Sequence, residues 1–114
     1  MGYGRHVKLQ GRGSAGLLAN ADIIVSVLHL ILPMQDGLHV YSAEDGSKLF
    51  GVSIRGATHA AIHTWPVLAF FTLDILGRSC PDDKLAEQTV IQRLGAYNVQ
   101  TTDLSRALDY PAEW

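Results

Sequence analysis

The sequence predicts an α+β fold, a two-layer α/β sandwich in which a mostly antiparallel sheet carries two helices on one face. Three observations predict it. The chain has 114 residues, enough for a single domain over 1–114 and too few for two independent cores. Hydrophobic residues make up 47% of it and charged residues 18%, so a packed core is within reach and disorder is not expected. The apolar pattern switches between helical spacing and two-residue alternation in the order β-α-β-β-β-β-α-β. Consecutive strands joined by short turns pair antiparallel. Two helices covering one face leave the other face for water, a pocket or a second subunit.

The first strand is Arg5 to Gln10, where polar and apolar residues alternate. Gly11-Arg12-Gly13-Ser14 breaks it, and Ser14 is a candidate N-cap. Leu17, Leu18, Ala21, Ile24, Val25, Leu28, Ile31 and Leu32 then follow helical spacing. The β-branched residues among them lower helix propensity, but length and spacing favour one helix, ended by Pro33. Leu38 to Ala43 and Lys48 to Ile54 are the next strands, with Glu44-Asp45-Gly46 as their turn. Thr58 to Thr64 is the fourth. It puts Thr58, Ala60 and Ile62 on one face and His59, Ala61 and His63 on the other. Trp65-Pro66 forms a corner, and Val67 to Leu76 reads as a central strand, apolar on both faces. That run is more apolar than a one-sided sheet requires, which points to a ligand cavity or a dimer interface. A helix follows from Asp82 to Leu94, with Leu85, Ala86, Val90, Ile91 and Leu94 inward and Gly95 as its stop. Tyr97 to Thr102 is the last strand.

Composition narrows the function classes. Nine basic and 11 acidic residues give a net charge of -2, which argues against a nucleic-acid surface. The most apolar stretch, Leu17 to Leu32, holds Asn20, Asp22 and His29 and is too short to span a bilayer. The single cysteine, Cys80, excludes an internal disulfide and a cysteine-rich zinc site. No apolar leader follows Met1, so a cytoplasmic location is expected. His59 and His63 share a face but stand roughly 13 Å apart along a strand, so no metal site is expected there.

The segment Thr58-His59-Ala60-Ala61-Ile62-His63-Thr64-Trp65-Pro66, followed by a hydrophobic strand with Asp74, carries a resemblance. It resembles the core of the bacterial and archaeal pyruvoyl-dependent S-adenosylmethionine decarboxylases, which have Ser-Glu-Ser-His-x-x-Ile-His-Thr-Trp-Pro-Glu here. Gly4-Arg5-His6 also looks like their N-terminal Gly-Arg-His. The resemblance implies an α/β sandwich that pairs into a dimer. It implies self-cleavage at a Glu-Ser bond, a serine-derived pyruvoyl group, and decarboxylation of S-adenosylmethionine through a Schiff base for polyamine synthesis.

Carried over one residue at a time, the family's chemistry is mostly altered. The pyruvoyl-forming serine falls on Thr58, whose processing would leave a 2-oxobutanoyl group with an extra methyl. The preceding glutamate falls on Ala57, and the serine that assists processing falls at or near Phe50. The histidine that assists processing is kept as His63. The family's proton-donating cysteine falls on Arg78, two residues before Cys80, and its ribose-binding glutamate falls on Val67. Self-cleavage needs a nucleophile and a base in register, so these changes predict its loss and, with it, no cofactor.

The expected function is therefore a repurposed member that binds a small apolar or carboxylate-bearing metabolite, as a homodimer, with no nucleic-acid or membrane partner. A cofactor-free cyclisation or isomerisation in specialised metabolism is the expected reaction. His63 would be its acid/base and Arg78 or Arg55 its polarising group. Thr58 remains the catalytic residue only of the self-processing alternative. Phe50, His59, Trp65, Val67 and Arg55 are the expected substrate-binding residues. The other alternative is a non-catalytic partner that regulates an active paralogue.

Overall fold

The computed structural model describes residues 5–77 and 82–103. Six strands form one sheet: β1 (Arg5–Arg12), β2 (Gly37–Ser42), β3 (Leu49–Arg55), β4 (Thr58–Trp65), β5 (Phe70–Gly77) and β6 (Tyr97–Asp103). Their order is β2-β3-β4-β5-β1-β6, and every neighbouring pair is antiparallel. The helices α1 (Ala15–Leu18), α2 (Ala21–Ile31) and α3 (Asp83–Leu94) lie on one face. The expected sandwich and strand order along the chain are present, with three helices among the described residues instead of two.

Alternation builds the core. Along β4 the side chains of Thr58, Ala60, Ile62 and Thr64 turn under the helices, as do Val7 and Leu9 of β1 and Phe71, Leu73 and Ile75 of β5. They meet Ile24, Leu28 and Ile31 of α2 and Ala86, Val90 and Leu94 of α3. Each fully buried Leu, Ile or Phe contributes about 1.5–3 kcal/mol by leaving water. No helix among the described residues is long and apolar enough to cross a membrane.

The single helix expected up to Leu32 is broken in two. Asn20 takes an extended backbone (φ -98°, ψ 110°), and its side-chain oxygen accepts from the N–H groups of Asp22 and Ile23 at 2.9 and 3.2 Å. A side chain that caps the next helix ends the previous one. The Leu18 carbonyl at the end of α1 is satisfied from the sheet by Thr64 Oγ1, at 2.8 Å. Ser14 stands at the N-cap position of α1 without a side-chain capping bond.

The strand expected from Val67 begins at Phe70. Pro66 has no N–H to give a ladder, and it opens a 3₁₀ turn over Pro66–Leu68 closed by Ala69 in the left-handed region (φ 51°). Val67 is 87% exposed in that turn. On α3 the stripe Ala86, Val90 and Leu94 faces the core together with Thr89, whereas Leu85 and Ile91 face outward. The Thr89 hydroxyl donates to the Leu85 carbonyl at 2.7 Å, which makes its burial affordable. β1 runs two residues beyond its expected end and bulges between Gln10 and Arg12. Gly11 sits at the bulge, where a Cβ would meet the Tyr97 carbonyl oxygen at 3.1 Å.

Candidate functional site on the open sheet face

The second face of the sheet carries no helix, and its residues fall into transverse rows set by strand register. Trp65, Phe70 and Arg12 are successive partners across β4, β5 and β1, and the Lys48 ammonium lies 5.3 Å from the Trp65 ring. The next row is Tyr41, Phe50, His63, Thr72 and Gln10. Then come His39, Val52, Ala61, Asp74 and Lys8, followed by Ile54, His59, Leu76 and His6. Aromatic rings cross these rows in a continuous track. Centroid separations are 6.2 Å for Tyr41–Phe50, 4.6 Å for Phe50–His63, 5.9 Å for His63–Trp65 and 5.7 Å for Trp65–Phe70.

His63 is at the middle of the track. Its Nδ1 is covered and has no hydrogen-bond partner among the described residues, so no carboxylate orients the ring. Burial holds its pKa below the ordinary 6.5; the nearby Lys48 charge lowers it further, and Asp74 opposes both. At neutral pH it is therefore an uncharged imidazole, the form that accepts a proton.

The fold brings together Phe50, His63 and Trp65 among the expected site residues, with His59 on the same face one β4 alternation further than Ala61. It separates the others from them. Thr58 is on the helix-facing side, 2% exposed, against Gly77 of β5. At Gly77 (φ 151°) a Cβ would overlap the Thr58 Cα and stand 2.6 Å from its Oγ1, so only glycine fits. Arg55 lies at the far end of β3 and donates to the Pro33 carbonyl at 2.9 Å. Val67 is in the exposed turn. Arg78 and Cys80 lie outside the described residues.

Sequence reasoning missed Lys48, Phe70 and Arg12, and the pair in which His6 Nε2 donates to Asp74 Oδ1 at 3.0 Å. The alternation of β1 and β5 signalled which face they share. Only the register puts Arg12 beside Phe70. Among the described residues, two hollows bear on the site. One of about 160 Å³ is on this face, lined by Gln10, Gly11, Arg12, Phe70, Asn98 and Gln100. A larger one of about 330 Å³ is a groove on the helical layer between Asp22, Val25, Ser26, His29 and Leu30 of α2 and Arg93 of α3. It is on the opposite side of the sheet from His63, and size alone does not make it the site. Among the described residues no group of three His, Cys, Asp or Glu side chains is placed to hold a metal ion.

Six antiparallel strands under one helical layer make a two-layer α/β sandwich. One solved structure that shares it is the crystal structure of the adenosylmethionine decarboxylase from Aquifex aeolicus VF5. The match has a TM-score of 0.74 at 20% sequence identity and covers 96% of this chain and 94% of that one. At this identity the likeness is one of fold. No protein-family model and no curated protein sequence matches the chain.

Proposed function

We propose that the chain is a divergent S-adenosylmethionine decarboxylase-like protein that no longer cuts itself and binds a small metabolite around His63. The observation that carries this reading is the Phe50–His63 pair. The two residues are register partners with ring centroids 4.6 Å apart. In the family the sequence resembles, a serine that assists processing falls at or near this position. A phenyl ring has no hydroxyl to give or take a proton. A lost general acid or base costs ~10²–10⁴ in rate, about 3–5 kcal/mol of barrier.

On the open face, neutral His63 takes a proton from one carbon of the bound metabolite, and its conjugate acid returns it to another. Such an isomerisation or cyclisation consumes no cofactor. Of the two polarising groups expected, Arg55 is engaged with Pro33 and Arg78 lies outside the described residues; Lys48 and Arg12 are cations that reach the track. The reading includes a homodimer that shelters this face, a cytoplasmic location and a place in specialised metabolism.

The tight seat of Gly77 on Ala57 and Thr58 favours a second reading, a self-processing decarboxylase that works through Thr58. The intact mass of denatured protein decides between them. A single 114-residue species is the expected result. Fragments 1–57 and 58–114 would overturn the first reading and make decarboxylation of S-adenosylmethionine the next assay.

A further inference from the structure

Lys48, just ahead of β3, and Trp65, Phe70 and Arg12 of β4, β5 and β1 form one row, with a cation at each end and two aromatic rings between. Lys48 Nζ lies 5.3 Å from the Trp65 centroid, Trp65 lies 5.7 Å from Phe70, and the Arg12 guanidinium carbon lies 5.8 Å from Phe70. The row spans about 14 Å at the usual strand spacing. Arg12 is held in place, since its Nη1 donates to the Leu68 carbonyl at 2.6 Å. A guanidinium has five N–H donors, so this bond fixes the group and leaves donors over.

Arg12 and Phe70 also wall the hollow of about 160 Å³ on this face, whose other polar lining is the carboxamides of Gln10, Asn98 and Gln100. Gln10 Nε2 donates to Gln100 Oε1 at 3.3 Å, which uses the Gln100 oxygen and keeps its amide N–H groups as donors. No acid lines the hollow. Asp74, the carboxylate on this face, is two rows away and bonded to His6. The bulge at Gly11 and the left-handed Asn98 (φ 52°) shape the floor where β1 meets β6. An aromatic pair inclined at 34° thus runs directly into an acid-free hollow of amides and one fixed guanidinium.

We infer that this row binds a planar aromatic carboxylate, with its ring on Trp65 and Phe70 and its acid group in the hollow beside Arg12. The inference rests on the metabolite-binding reading above and names its ligand class. The ring gains stacking area, and the carboxylate gains a charge-assisted bond to a guanidinium shaped for it. His63 lies one row from the ring, at 5.9 Å from Trp65, within reach of a substituent that projects from it.

The test is a titration of ¹⁵N-labelled protein with 2-naphthoate, followed by 2-naphthamide and cyclohexanecarboxylate. Saturable binding of 2-naphthoate is expected, with shifts at the Trp65 indole, the Arg12 Nε and the Gln100 side-chain amide. Loss of the charge in 2-naphthamide, loss of the flat ring in cyclohexanecarboxylate, or Arg12→Gln will each weaken binding about tenfold. Arg12→Lys will restore only part of it, because an ammonium lacks the fork geometry. Equal affinity for the amide, unchanged affinity in Arg12→Gln, or shifts confined to the Asp22–Arg93 groove would overturn the inference. Absence of saturation would overturn it too. The titration reads binding alone, so its failure leaves the unprocessed chain standing. Cleavage at Thr58 seen by mass would remove that reading without changing this result.

Discussion

His63 is lodged between a phenyl ring and an indole, with an ammonium close by and no orienting carboxylate. Burial first, and Lys48 second, hold its pKa below 6.5. The sign of its contribution to stability follows. The unfolded chain takes up this proton near pH 6.5, and the folded chain takes it up only at lower pH. Between those two values the unfolded state binds more protons, so acidification favours unfolding. Stability therefore rises as pH climbs through the folded pKa to 6.5 and is level above it. His63→Gln will flatten this rise in urea midpoints measured from pH 4.5 to 7.5, about two units below to one above the ordinary value. Lys48→Met will move the His63 titration, followed by NMR, up toward 6.5. An undiminished slope in His63→Gln would show that another group carries it. His63, Phe50 and Trp65 were legible in the sequence because alternation decides which side chains share a face. Lys48 and Arg12 were not, since their place beside the rings depends on register between strands distant in sequence.

The strands were largely legible as elements. Two-residue alternation and turn residues such as Glu44-Asp45-Gly46 place β2 and β3 within a residue of their observed ends. The break between α1 and α2 was hidden, because a capping asparagine at residue 20 and a polar residue on a continuous helix read alike. Val67 and Leu68 were misread for a related reason. An apolar run has no period, and only the proline before it marks the turn. The capping role of Asn20 is testable. Asn20→Ala removes the acceptor for two N–H groups and costs about 1 kcal/mol, whereas Asn20→Asp keeps it. Thermal unfolding followed by circular dichroism will show Asn20→Ala melting about 4 °C lower, with Asn20→Asp near the parent. Equal melting of parent and Asn20→Ala would mean that the Thr64 bond to Leu18, not the cap, breaks the helix.

One helical layer covers one face of a six-stranded sheet, and the bare face holds large side chains in the open. Tyr41 is 58% exposed and Ile54 46%, and both belong to the rows that contain Phe50 and His59. Six strands about 4.8 Å apart and eight residues of about 3.3 Å make a face of roughly 750 Å². A stable pair of proteins buries about 800 Å² per partner, so the face is the right size for a second copy. Cations stand at Lys48 and Arg12 along one edge row, and Asp74, nearer the opposite end, shares its row with Lys8. A two-fold axis through the face carries each end over the other. Sedimentation velocity at ten micromolar, a concentration about tenfold above a micromolar dissociation constant, will give twice the chain mass. Val52→Glu, on the open face of β3, will give the single-chain mass with an unchanged far-ultraviolet spectrum, because burying an unpaired carboxylate against a second copy is costly. Leu30→Glu, in the groove on the helical layer, will leave the dimer intact. A dimer broken by Leu30→Glu but not by Val52→Glu would move the contact to the helical side. The open face would then meet solvent, and His63 would work without a partner to exclude water.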